Sequence, residues 1–579
     1  MFRDLLDVLE RIVRHPLYYL IGVARDRLVY QSTQEGSNDL WVSDLDGSNN
    51  VLLAREVLLV ARPRREDRRI YYTLDVSGGR ELAKVFYVDV SNGDSGEAFN
   101  MEPLRIFGLT YMGDTVIYSG VSREDNTVYI SEGGGDPEKV FSTDKWVFTV
   151  DYDGRYIVGA GTLAGNPRSF EVFIYDREAN EAKIYTPRDG STNMPAGIHE
   201  GRILLTSDYG GEKELYIYDI ESGELSKPTL SGGDYRGYVF QDYSNYGFTD
   251  DGRVWFIGLQ DYRGYAFLDG YRVSHPDGTP DNLCLIGEYI YFTFSNLKTP
   301  HSILRARIGG GGWERVIGRD LDRDILNKMG RVNIVKYKSF DGLEIPTIIF
   351  ESSRGRPGPS ILYVHGGPWS HVGDFWSILI PSLVASGYHV IAPNFRGSTG
   401  YGEDFRRLDI GDPGGGDLKD IIYAREYAFK AGLSNRIAIM GYSYGGFMTY
   451  LATVKEPDLW DAGVAGAGVT DWRLMYELAD AAFKHFQEIL FDGRRVELWD
   501  DRSPINFAER LKAPLCIIHP QNDTRTPLKP VLKYMERLLE YGKRFEAHII
   551  PDMGHIITRV DDMLKLVYPA IIFLKRVLG

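Results

Sequence analysis

Cysteine is scarce in this chain, which contains only Cys284 and Cys516 among its 579 residues. Each of the two lies in an apolar run of strand length, and their separation matches neither a disulfide framework nor a zinc-binding pattern. We therefore expect two buried free thiols in a protein of a reducing compartment. No cluster of residues in the sequence implies a metal or an organic cofactor.

Long hydrophobic runs and an excess of positive charge are also missing. No stretch of 18 or more apolar residues occurs, which predicts that no segment spans a membrane. Asp4, Asp7 and Glu10 lie among the hydrophobic residues of the N-terminus, where a secretory signal would not tolerate them. The net charge of −15 would repel a polyanion and argues against a nucleic-acid partner. These features predict a cytoplasmic protein.

The chain is too long for a single hydrophobic core, and its patterning changes twice along its length. In residues 1–18 the hydrophobic side chains fall on one face of a helix, which is typical of a globular protein. Residues 19–320 have the texture of short strands and turns, whereas residues 321–579 alternate strands with helices. The sequence therefore predicts a short N-terminal helix followed by two domains.

Aromatic and β-branched runs recur in the first domain at intervals of roughly 35 to 50 residues, the period of a four-stranded propeller blade. Seven runs predict the inner strands of a seven-bladed all-β propeller; they begin near Arg27, Arg69, Asp114, Arg155, Arg202, Arg253 and Tyr289. Residues 231–251 are irregular, so the blade count depends on how they fold. A propeller alone would indicate a protein-interaction module with no chemistry of its own.

Five near-continuous apolar runs in the second domain suit strands that are buried on both faces of a mostly parallel sheet. They span residues 360–364, 388–392, 436–440, 515–518 and 547–550. Helical segments such as 418–431 and 527–541 lie between them and would form the crossover connections. This alternation predicts a doubly wound α/β domain.

The third of these runs leads directly into Gly441-Tyr442-Ser443-Tyr444-Gly445, and a helical segment follows. A strand, a G-x-S-x-G turn and a helix together form the nucleophile elbow of an α/β-hydrolase, which predicts Ser443 as the nucleophile. The first run ends in residues 365–368, His-Gly-Gly-Pro, which resembles the oxyanion loop of esterases rather than a simple tight turn. The backbone N–H of Tyr444 would supply the second oxyanion donor.

The remaining triad residues should follow the nucleophile in the order acid, then histidine. Asp523 and His555 each lie in a loop just after a predicted strand, where the carboxyl ends of parallel strands meet. Their competitors are His519 and His548 for the base, and Asp552 and Asp501 for the acid. His548 falls within a strand and His519 precedes the acid, so we predict Ser443, Asp523 and His555 as the triad.

These motifs, together with residues 394–402 (NFRGSTGYG), resemble the prolyl oligopeptidase family of serine peptidases, and most closely its archaeal-type acylaminoacyl peptidases. The resemblance covers the second domain closely and the propeller only in architecture. It implies that the N-terminal helix packs on the hydrolase domain and that the active site lies between the two domains. It further implies that the propeller admits short peptides and excludes folded proteins, and that the protein forms a homodimer or higher homo-oligomer.

The resemblance also implies roles for individual residues. Ser443, Asp523 and His555 match the family triad, and Gly367 and Tyr444 match its oxyanion donors. Arg525 matches an arginine that holds a substrate carbonyl, although a solvated loop charge is the alternative. Three aromatic residues match the lining of the specificity pocket and could equally belong to the core: Trp472, Phe483 and Phe486.

The leading functional hypothesis is a serine exopeptidase that releases an N-acylated amino acid from a blocked peptide through an acyl-enzyme. A dipeptidyl peptidase is disfavoured because its relatives use an adjacent Glu-Glu pair, and this chain has none. A proline-specific endopeptidase or a broad carboxylesterase would use the same triad and stays open. A propeller docking protein with an inactive hydrolase domain is disfavoured because every catalytic motif is present.

Overall fold

The recurrent aromatic runs of the first domain form strands of a propeller in the computed structural model, which describes residues 2–240 and 245–579. Seven sheets surround the propeller axis in the described residues, and each is built from consecutive strands. Blades one to four contain β1 (Tyr18–Ala24), β2 (Arg27–Ser32), β3 (Asp39–Ser43), β4 (Val51–Ala54), β5 (Val57–Val60), β6 (Arg69–Asp75), β7 (Ala83–Asp89), β8 (Ser95–Glu97), β9 (Arg105–Met112), β10 (Thr115–Val121), β11 (Asn126–Glu132), β12 (Glu138–Thr143), β13 (Val147–Tyr152), β14 (Tyr156–Gly161), β15 (Glu171–Asp176) and β16 (Glu181–Tyr185).

Blades five to seven complete the propeller. They contain β17 (Asn193–His199), β18 (Arg202–Ser207), β19 (Glu214–Asp219), β20 (Leu225–Ser226), β21 (Val239–Phe240), β22 (Tyr246–Phe248), β23 (Val254–Gln260), β24 (Arg263–Leu268), β25 (Tyr271–Arg272), β26 (Thr279–Ile286), β27 (Tyr289–Asn296), β28 (Thr299–Arg307) and β29 (Trp313–Ile317). The irregular stretch 231–251 belongs to the sixth blade, where β21 and β22 both pair with β23. Part of that stretch, residues 241–244, lies outside the described residues. The prediction of seven blades is confirmed.

The seven predicted inner strands are the second strands of their blades rather than the innermost ones. The innermost positions belong to the preceding strands, and β13 contacts β9 and β17 across the blade boundaries. Six of the seven innermost strands shift register against their second strand, as between Leu20 and Gly22 in β1. Such a bulge breaks the alternation of buried and exposed residues, which explains why the sequence pattern marked the second strands more clearly.

The second domain contains one sheet of eight strands. Its strands are β30 (Met329–Lys338), β31 (Glu344–Ser352), β32 (Gly358–Val364), β33 (His389–Pro393), β34 (Ser434–Tyr442), β35 (Ala462–Gly466), β36 (Leu515–Pro520) and β37 (Phe545–Ile550). The order is β30-β31-β33-β32-β34-β35-β36-β37, antiparallel at β30 and β31 and parallel from β33 onward. This is the predicted doubly wound, mostly parallel sheet of an α/β-hydrolase.

Each of the five predicted apolar runs lies in one of these strands, whereas β35 was not predicted. Its sequence, Ala-Gly-Val-Ala-Gly, is dominated by small residues because helix and strand approach closely there. A Cβ atom on Gly446, in the helix that precedes β35, would lie 2.2 Å from the carbonyl oxygen of Gly466. The sequence signal for β35 is weak because close packing, rather than hydrophobic bulk, selects its residues.

Helices cover both faces of the sheet and enclose its two hydrophobic cores. They are α1 (Phe2–Val13), α2 (Arg323–Leu326), α3 (Leu379–Ala385), α4 (Glu403–Arg406), α5 (Gly416–Lys430), α6 (Tyr444–Lys455), α7 (Trp472–Leu478), α8 (Ala481–Leu490), α9 (Val496–Asp501), α10 (Leu528–Glu540) and α11 (Val560–Leu578). Helices α1, α3 and α11 share one core with the sheet, while α5, α6 and α10 lie against the opposite face. Among the described residues, no helix has the length and apolar character needed to cross a membrane.

The N-terminal helix α1 packs on the second domain rather than on the propeller. Leu9 and Ile12 are buried in the core formed with α3 and α11. Arg14 pairs with Asp561 of α11 at 2.8 Å, and Arg11 pairs with Asp322 at the same distance. The chain therefore enters the propeller from the hydrolase domain and returns to that domain after β29, so two segments of the chain connect the domains.

Candidate active site

Ser443 lies in the sharp turn between β34 and α6, at the carboxyl edge of the sheet. Its backbone has φ of 59° and ψ of −120°, a conformation that a non-glycine residue adopts only under strain. The hydroxyl is thereby held clear of the strand and of the helix. The turn predicted from G-x-S-x-G is present.

The glycines of the motif are required by close approach of the backbone on both sides of the turn. A Cβ on Gly441 would lie 2.4 Å from the carbonyl carbon of Gly445. A Cβ on Gly445 would lie 2.0 Å from the carbonyl oxygen of Val364, at the end of β32. Both distances are too short for any side chain, so the two glycines allow the elbow to form.

The three residues predicted as a triad meet at this turn although they are separated by up to 112 positions. His555 Nε2 lies 3.0 Å from Ser443 Oγ, and His555 Nδ1 lies 2.6 Å from Asp523 Oδ2. The Asp523 carboxylate side chain is fully buried, while the imidazole is about one-tenth exposed. This geometry allows the histidine to take the serine proton while the carboxylate fixes its tautomer.

Asp523 is held as an anion by the groups around it. Its Oδ1 accepts hydrogen bonds from the backbone N–H groups of Arg525 and Thr526, and its Oδ2 accepts one from the Thr526 hydroxyl. Burial alone would raise the pKa of Asp523, but His555 and these donors hold that pKa below its ordinary value. The carboxylate is therefore ionised at neutral pH, as an orienting residue of a triad must be.

The competing candidates have other partners. His519 is fully buried, its Nε2 lies 2.8 Å from the carbonyl oxygen of Thr526, and burial lowers its pKa. His548 pairs with Glu546 at 3.2 Å. Asp501 pairs with Lys455 at 2.7 Å, and Asp552 is exposed. None of these four has a hydrogen bond to Ser443 or His555 in the described part of the chain.

Gly367 and Tyr444, the predicted oxyanion donors, lie on two segments that flank the nucleophile. Tyr444 is the first residue of α6, where backbone N–H groups have no partner within the helix and the helix dipole favours negative charge. The loop of Gly367 covers the turn, since a Cβ on Gly366 would lie 3.5 Å from the Cβ of Ser443. The two segments can thus place N–H groups on the same side of Ser443.

The three aromatic residues assigned to the specificity pocket occupy different environments. Phe483 and Phe486 are partly buried on α8, with ring centroids 6.1 Å apart, and Phe486 meets Trp369 at 5.6 Å. Trp472 is 1% exposed and packs against Phe447 and Phe491. The structure favours the core alternative for Trp472, whereas Phe483 and Phe486 are partly buried against the same core and their role as pocket lining stays a prediction.

Arg525 is not the solvated loop charge that was the alternative to a functional role. Its guanidinium forms a two-pronged ion pair with Glu81 of the propeller, at 2.8 and 2.9 Å, and lies over the ring of Phe483. Arg105 binds the same carboxylate at 2.8 Å and also pairs with Asp480 at 2.7 Å. We call these four charged residues the interface cluster.

Sequence reasoning missed the propeller members of the interface cluster, Glu81 and Arg105. Glu81 follows a glycine-rich turn and lies 444 positions before its partner Arg525. No local pattern distinguishes it from the other acidic residues of the blade turns. Only the packing of the two domains brings these charges together.

The His555 loop is held from the propeller side through backbone contacts. Asn38 donates its N–H to the carbonyl oxygen of Thr558 at 2.7 Å, and Val560 donates to the carbonyl oxygen of Gly36 at 2.9 Å. Gly79 and Gly554 touch so closely that a Cβ on Gly79 would lie 2.5 Å from the nitrogen of Gly554. The propeller therefore fixes the loop that carries His555.

A substitution at Gly79 should disturb that loop. We expect Gly79→Ala to lower kcat/KM by roughly 10- to 100-fold, because displacing a catalytic group by about 1 Å has an effect of that size. Gly78→Ala is the matched control, since Gly78 also has positive φ but has no neighbour closer than 3.9 Å. Equal activity of the two variants would show that the contact at Gly79 does not position His555.

One group of residues in the described part of the chain has the composition of a metal site. Cys516, Glu546 and His548 place their donor atoms within 4.8 Å of one another on β36 and β37. Glu546 is already paired with Arg576 and His548. Both cysteines are free and buried, in agreement with the expectation from the sequence.

Comparison with known proteins gives matches to both domains. Residues 376–579 match the prolyl oligopeptidase family, and residues 29–304 match the acylamino-acid-releasing enzyme-like N-terminal domain. The uncharacterized peptidase YuxL of Bacillus subtilis (strain 168) is 31% identical over 208 residues, 35% of this chain and 31% of YuxL. The acylamino-acid-releasing enzyme of Sus scrofa is 29% identical over 249 residues, 39% of this chain and 33% of that enzyme. The matched region thus spans about a third of these relatives.

Solved structures share the whole architecture at low sequence identity. A puromycin-hydrolyzing peptidase of Mycobacterium tuberculosis superimposes with a TM-score of 0.83 at 17% identity and covers 99% of this chain and 96% of its own. The acylaminoacyl peptidase of Pyrococcus horikoshii gives 0.72 at 20% identity, with 97% and 96% covered. At these identities the likeness establishes the common fold of propeller and hydrolase domain.

Proposed function

We propose that this chain is a serine exopeptidase, because residues 376–579 match the prolyl oligopeptidase family and residues 29–304 match the acylamino-acid-releasing enzyme-like N-terminal domain. It would release an N-acylated amino acid from the N-terminus of a blocked peptide. Support comes from the aligned Ser443–His555–Asp523 chain of hydrogen bonds and from the relatives named as acylamino-acid-releasing enzymes.

The geometry supports acyl transfer in two steps. Ser443 Oγ attacks the scissile carbonyl carbon as its proton passes to His555 Nε2, and Asp523 stabilises the imidazolium that forms. The N–H groups of Gly367 and Tyr444 receive the negative charge that develops on the carbonyl oxygen. His555 then donates its proton to the leaving amine, and water repeats the sequence to release the acylated amino acid.

The interface cluster is the observation that favours a blocked N-terminus. A free α-ammonium would need an accessible carboxylate, but Glu81, 6% exposed, is held by Arg105 and Arg525. Asp480 is held by Arg105 as well. The electrostatic environment offered by these residues suits a neutral acyl group better than a cation.

A comparison of three chromogenic substrates tests the proposal. We expect acetyl-Leu-p-nitroanilide to have a far higher kcat/KM than Leu-p-nitroanilide with a free amine or a blocked Gly-Pro-p-nitroanilide. A higher value for the proline substrate would indicate a prolyl endopeptidase, and a higher value for the free amine would indicate an aminopeptidase. Either result would contradict the proposal while leaving the triad intact.

Removing the charge of Arg525 should change this preference. In Arg525→Gln, Glu81 loses one of its two cationic partners, and its carboxylate becomes a better site for an ammonium group. We expect the ratio of kcat/KM for acetylated over free-amino leucine substrate to fall by about tenfold or more, the value of a charged hydrogen bond. The control is Arg494→Gln, which removes an exposed arginine outside the interface cluster. An unchanged ratio in Arg525→Gln would refute the role given to the cluster.

The same proposal includes the substrates, the oligomeric state and the cellular location. Short N-acylated peptides would be the substrates, and a homodimer or higher homo-oligomer would be the working form. A cytoplasmic location is supported by the two unpaired thiols at Cys284 and Cys516, which lie in different domains. Size-exclusion chromatography with light scattering would measure the oligomeric state directly.

A further inference from the structure

Two buried carboxyl groups beneath the nucleophile elbow take no part in the mechanism above. Asp409 is 1% exposed and Asp417 is 0% exposed. Burying a carboxyl group is unfavourable unless it serves as a hydrogen-bond partner. Their carboxyl oxygens accept hydrogen bonds from one indole N–H, one phenol hydroxyl and two backbone N–H groups.

Asp417 fixes the side chain of Tyr444. The Tyr444 hydroxyl donates to Asp417 Oδ2 at 2.5 Å, and the ring is 4% exposed between Phe395 and Phe447. Asp417 itself is anchored by backbone N–H groups of Gly414 and Leu418, at 3.1 and 2.8 Å. A ring held at its tip and on its faces leaves the backbone N–H of Tyr444 little freedom to move.

Asp409 acts in the same way on the other donor segment. The indole N–H of Trp369 donates to Asp409 Oδ1 at 3.1 Å. Trp369 comes two residues after Gly367, and Arg406 lies over its ring at 5.5 Å. Asp409 Oδ2 is buried without a hydrogen-bond partner in the described part of the chain. The loop that covers Ser443 is thus tied to a buried carboxyl group through Trp369, two residues after Gly367.

The charge state of the two acids fits a place near the oxyanion. Burial, and then the neighbouring Asp417, raise the pKa of Asp409 well above its usual value. Burial raises the pKa of Asp417 to about 6. Both shifts favour the protonated form, so the pair holds less negative charge than two ordinary carboxylates would. A second anion below the oxyanion would oppose the charge that the site must stabilise.

We propose that Asp409 and Asp417 are positioning residues of the oxyanion hole, each of which holds one donor segment through an aromatic side chain. Asp417 fixes Tyr444, and Asp409 fixes Trp369 and with it the loop of Gly367. The inference rests on the proposed function, because it takes Gly367 and Tyr444 as the oxyanion donors. Neither carboxyl group touches the substrate.

Two variants that keep an aromatic ring at each position test the links without removing either acid. Tyr444→Phe deletes the hydroxyl that binds Asp417, and Trp369→Phe deletes the indole N–H that binds Asp409. The readouts are kcat and KM with acetyl-Leu-p-nitroanilide and the Ki of acetyl-leucinal. Ser443 Oγ adds to the carbonyl carbon of that aldehyde, the serine proton passes to His555, and the aldehyde oxygen becomes an oxyanion in the hole.

Each variant should lower kcat by about 10- to 100-fold with KM changed by less than about threefold, because a displaced oxyanion donor acts in the transition state. The Ki of acetyl-leucinal should rise by a similar factor. Asp417→Asn should add little to Tyr444→Phe, and Asp409→Asn should add little to Trp369→Phe, since each pair acts as a unit. Asp412→Asn, in the same loop but paired with Arg502, is the matched control.

Folded Tyr444→Phe and Trp369→Phe enzymes with wild-type kcat and wild-type Ki would overturn the inference. Losses that add fully in the double variants would overturn it as well, because the acids would then act independently of the rings. If the Asp→Asn variants do not fold, Tyr444→Phe and Trp369→Phe alone test the inference. Hydrolysis of p-nitrophenyl acetate, measured in parallel, separates the peptidase proposal from the proposal on the oxyanion hole. If the wild-type enzyme hydrolyses only this ester, the peptidase function is refuted. The effect of the variants on ester hydrolysis then still tests the oxyanion hole.

Discussion

Replacing Ser443 by alanine should abolish hydrolysis, with kcat lower by about 10⁴- to 10⁶-fold, the range found for removal of a serine nucleophile. The reason is geometric: Ser443 Oγ is the atom that His555 Nε2 reaches at 3.0 Å. Without this oxygen no acyl-enzyme can form. The residual rate would come from the oxyanion donors and substrate binding alone.

The variant should fold as well as the wild type, because alanine keeps the Cβ atom and meets the same strain at positive φ. Thermal unfolding and the binding of acetyl-leucine amide would verify this. Acetyl-Leu-p-nitroanilide provides the rate, and a fluorophosphonate probe should label the wild type and fail to label Ser443→Ala. Retention of more than a few per cent of activity would mean that another residue is the nucleophile.

Replacing Asp523 by asparagine should lower kcat by about 10⁴-fold, since the orienting carboxylate fixes the tautomer of the histidine. An asparagine amide can present its NH2 group to His555 Nδ1, which places the imidazole proton on Nε2 and leaves Ser443 without a base. The backbone N–H groups of Arg525 and Thr526 would still find an oxygen acceptor in the amide. The fold should therefore persist, and KM should change by less than about threefold.

The control for this variant is Asp552→Asn, which neutralises an exposed carboxylate three positions before His555. Rates with acetyl-Leu-p-nitroanilide should be near wild type in the control. A fall in the control comparable to that of Asp523→Asn would show that charge in the loop, rather than orientation of the imidazole, governs activity.

The architecture was predictable where hydrophobic periodicity and chemistry agree. The apolar runs that became β32, β33, β34 and β36 are buried on both faces, so the pattern is strong, whereas the run in the edge strand β37 is only partly buried. The innermost propeller strands were not identified, because bulges interrupt their alternation. β35 was missed because close contact with α6 selects small residues there. Local sequence reveals a continuous apolar run, but it does not reveal a β-bulge or a close contact between a strand and a helix.

In the candidate active site, too, some residues could be predicted from the local sequence and others could not. Ser443, Asp523 and His555 were predictable because each follows a strand that ends at one edge of the sheet, and the chemistry of acyl transfer needs these three groups. Glu81 and Arg105 were not, because their significance depends on how the propeller packs on the hydrolase domain. The burial of Trp472 was equally inaccessible, since an aromatic residue near a pocket and one beneath it have the same local sequence.

The most direct test of the central claim is the product pattern from an acetylated hexapeptide, acetyl-Leu-Ala-Ala-Gly-Ala-Ala, followed by mass spectrometry over time. The same peptide with a free N-terminus serves as the comparison. We expect acetyl-leucine and the intact pentapeptide to appear first and in equal amounts, with the free peptide cleaved far more slowly. Internal fragments formed first, or equal cleavage of the free peptide, would contradict the assignment as an exopeptidase for blocked peptides.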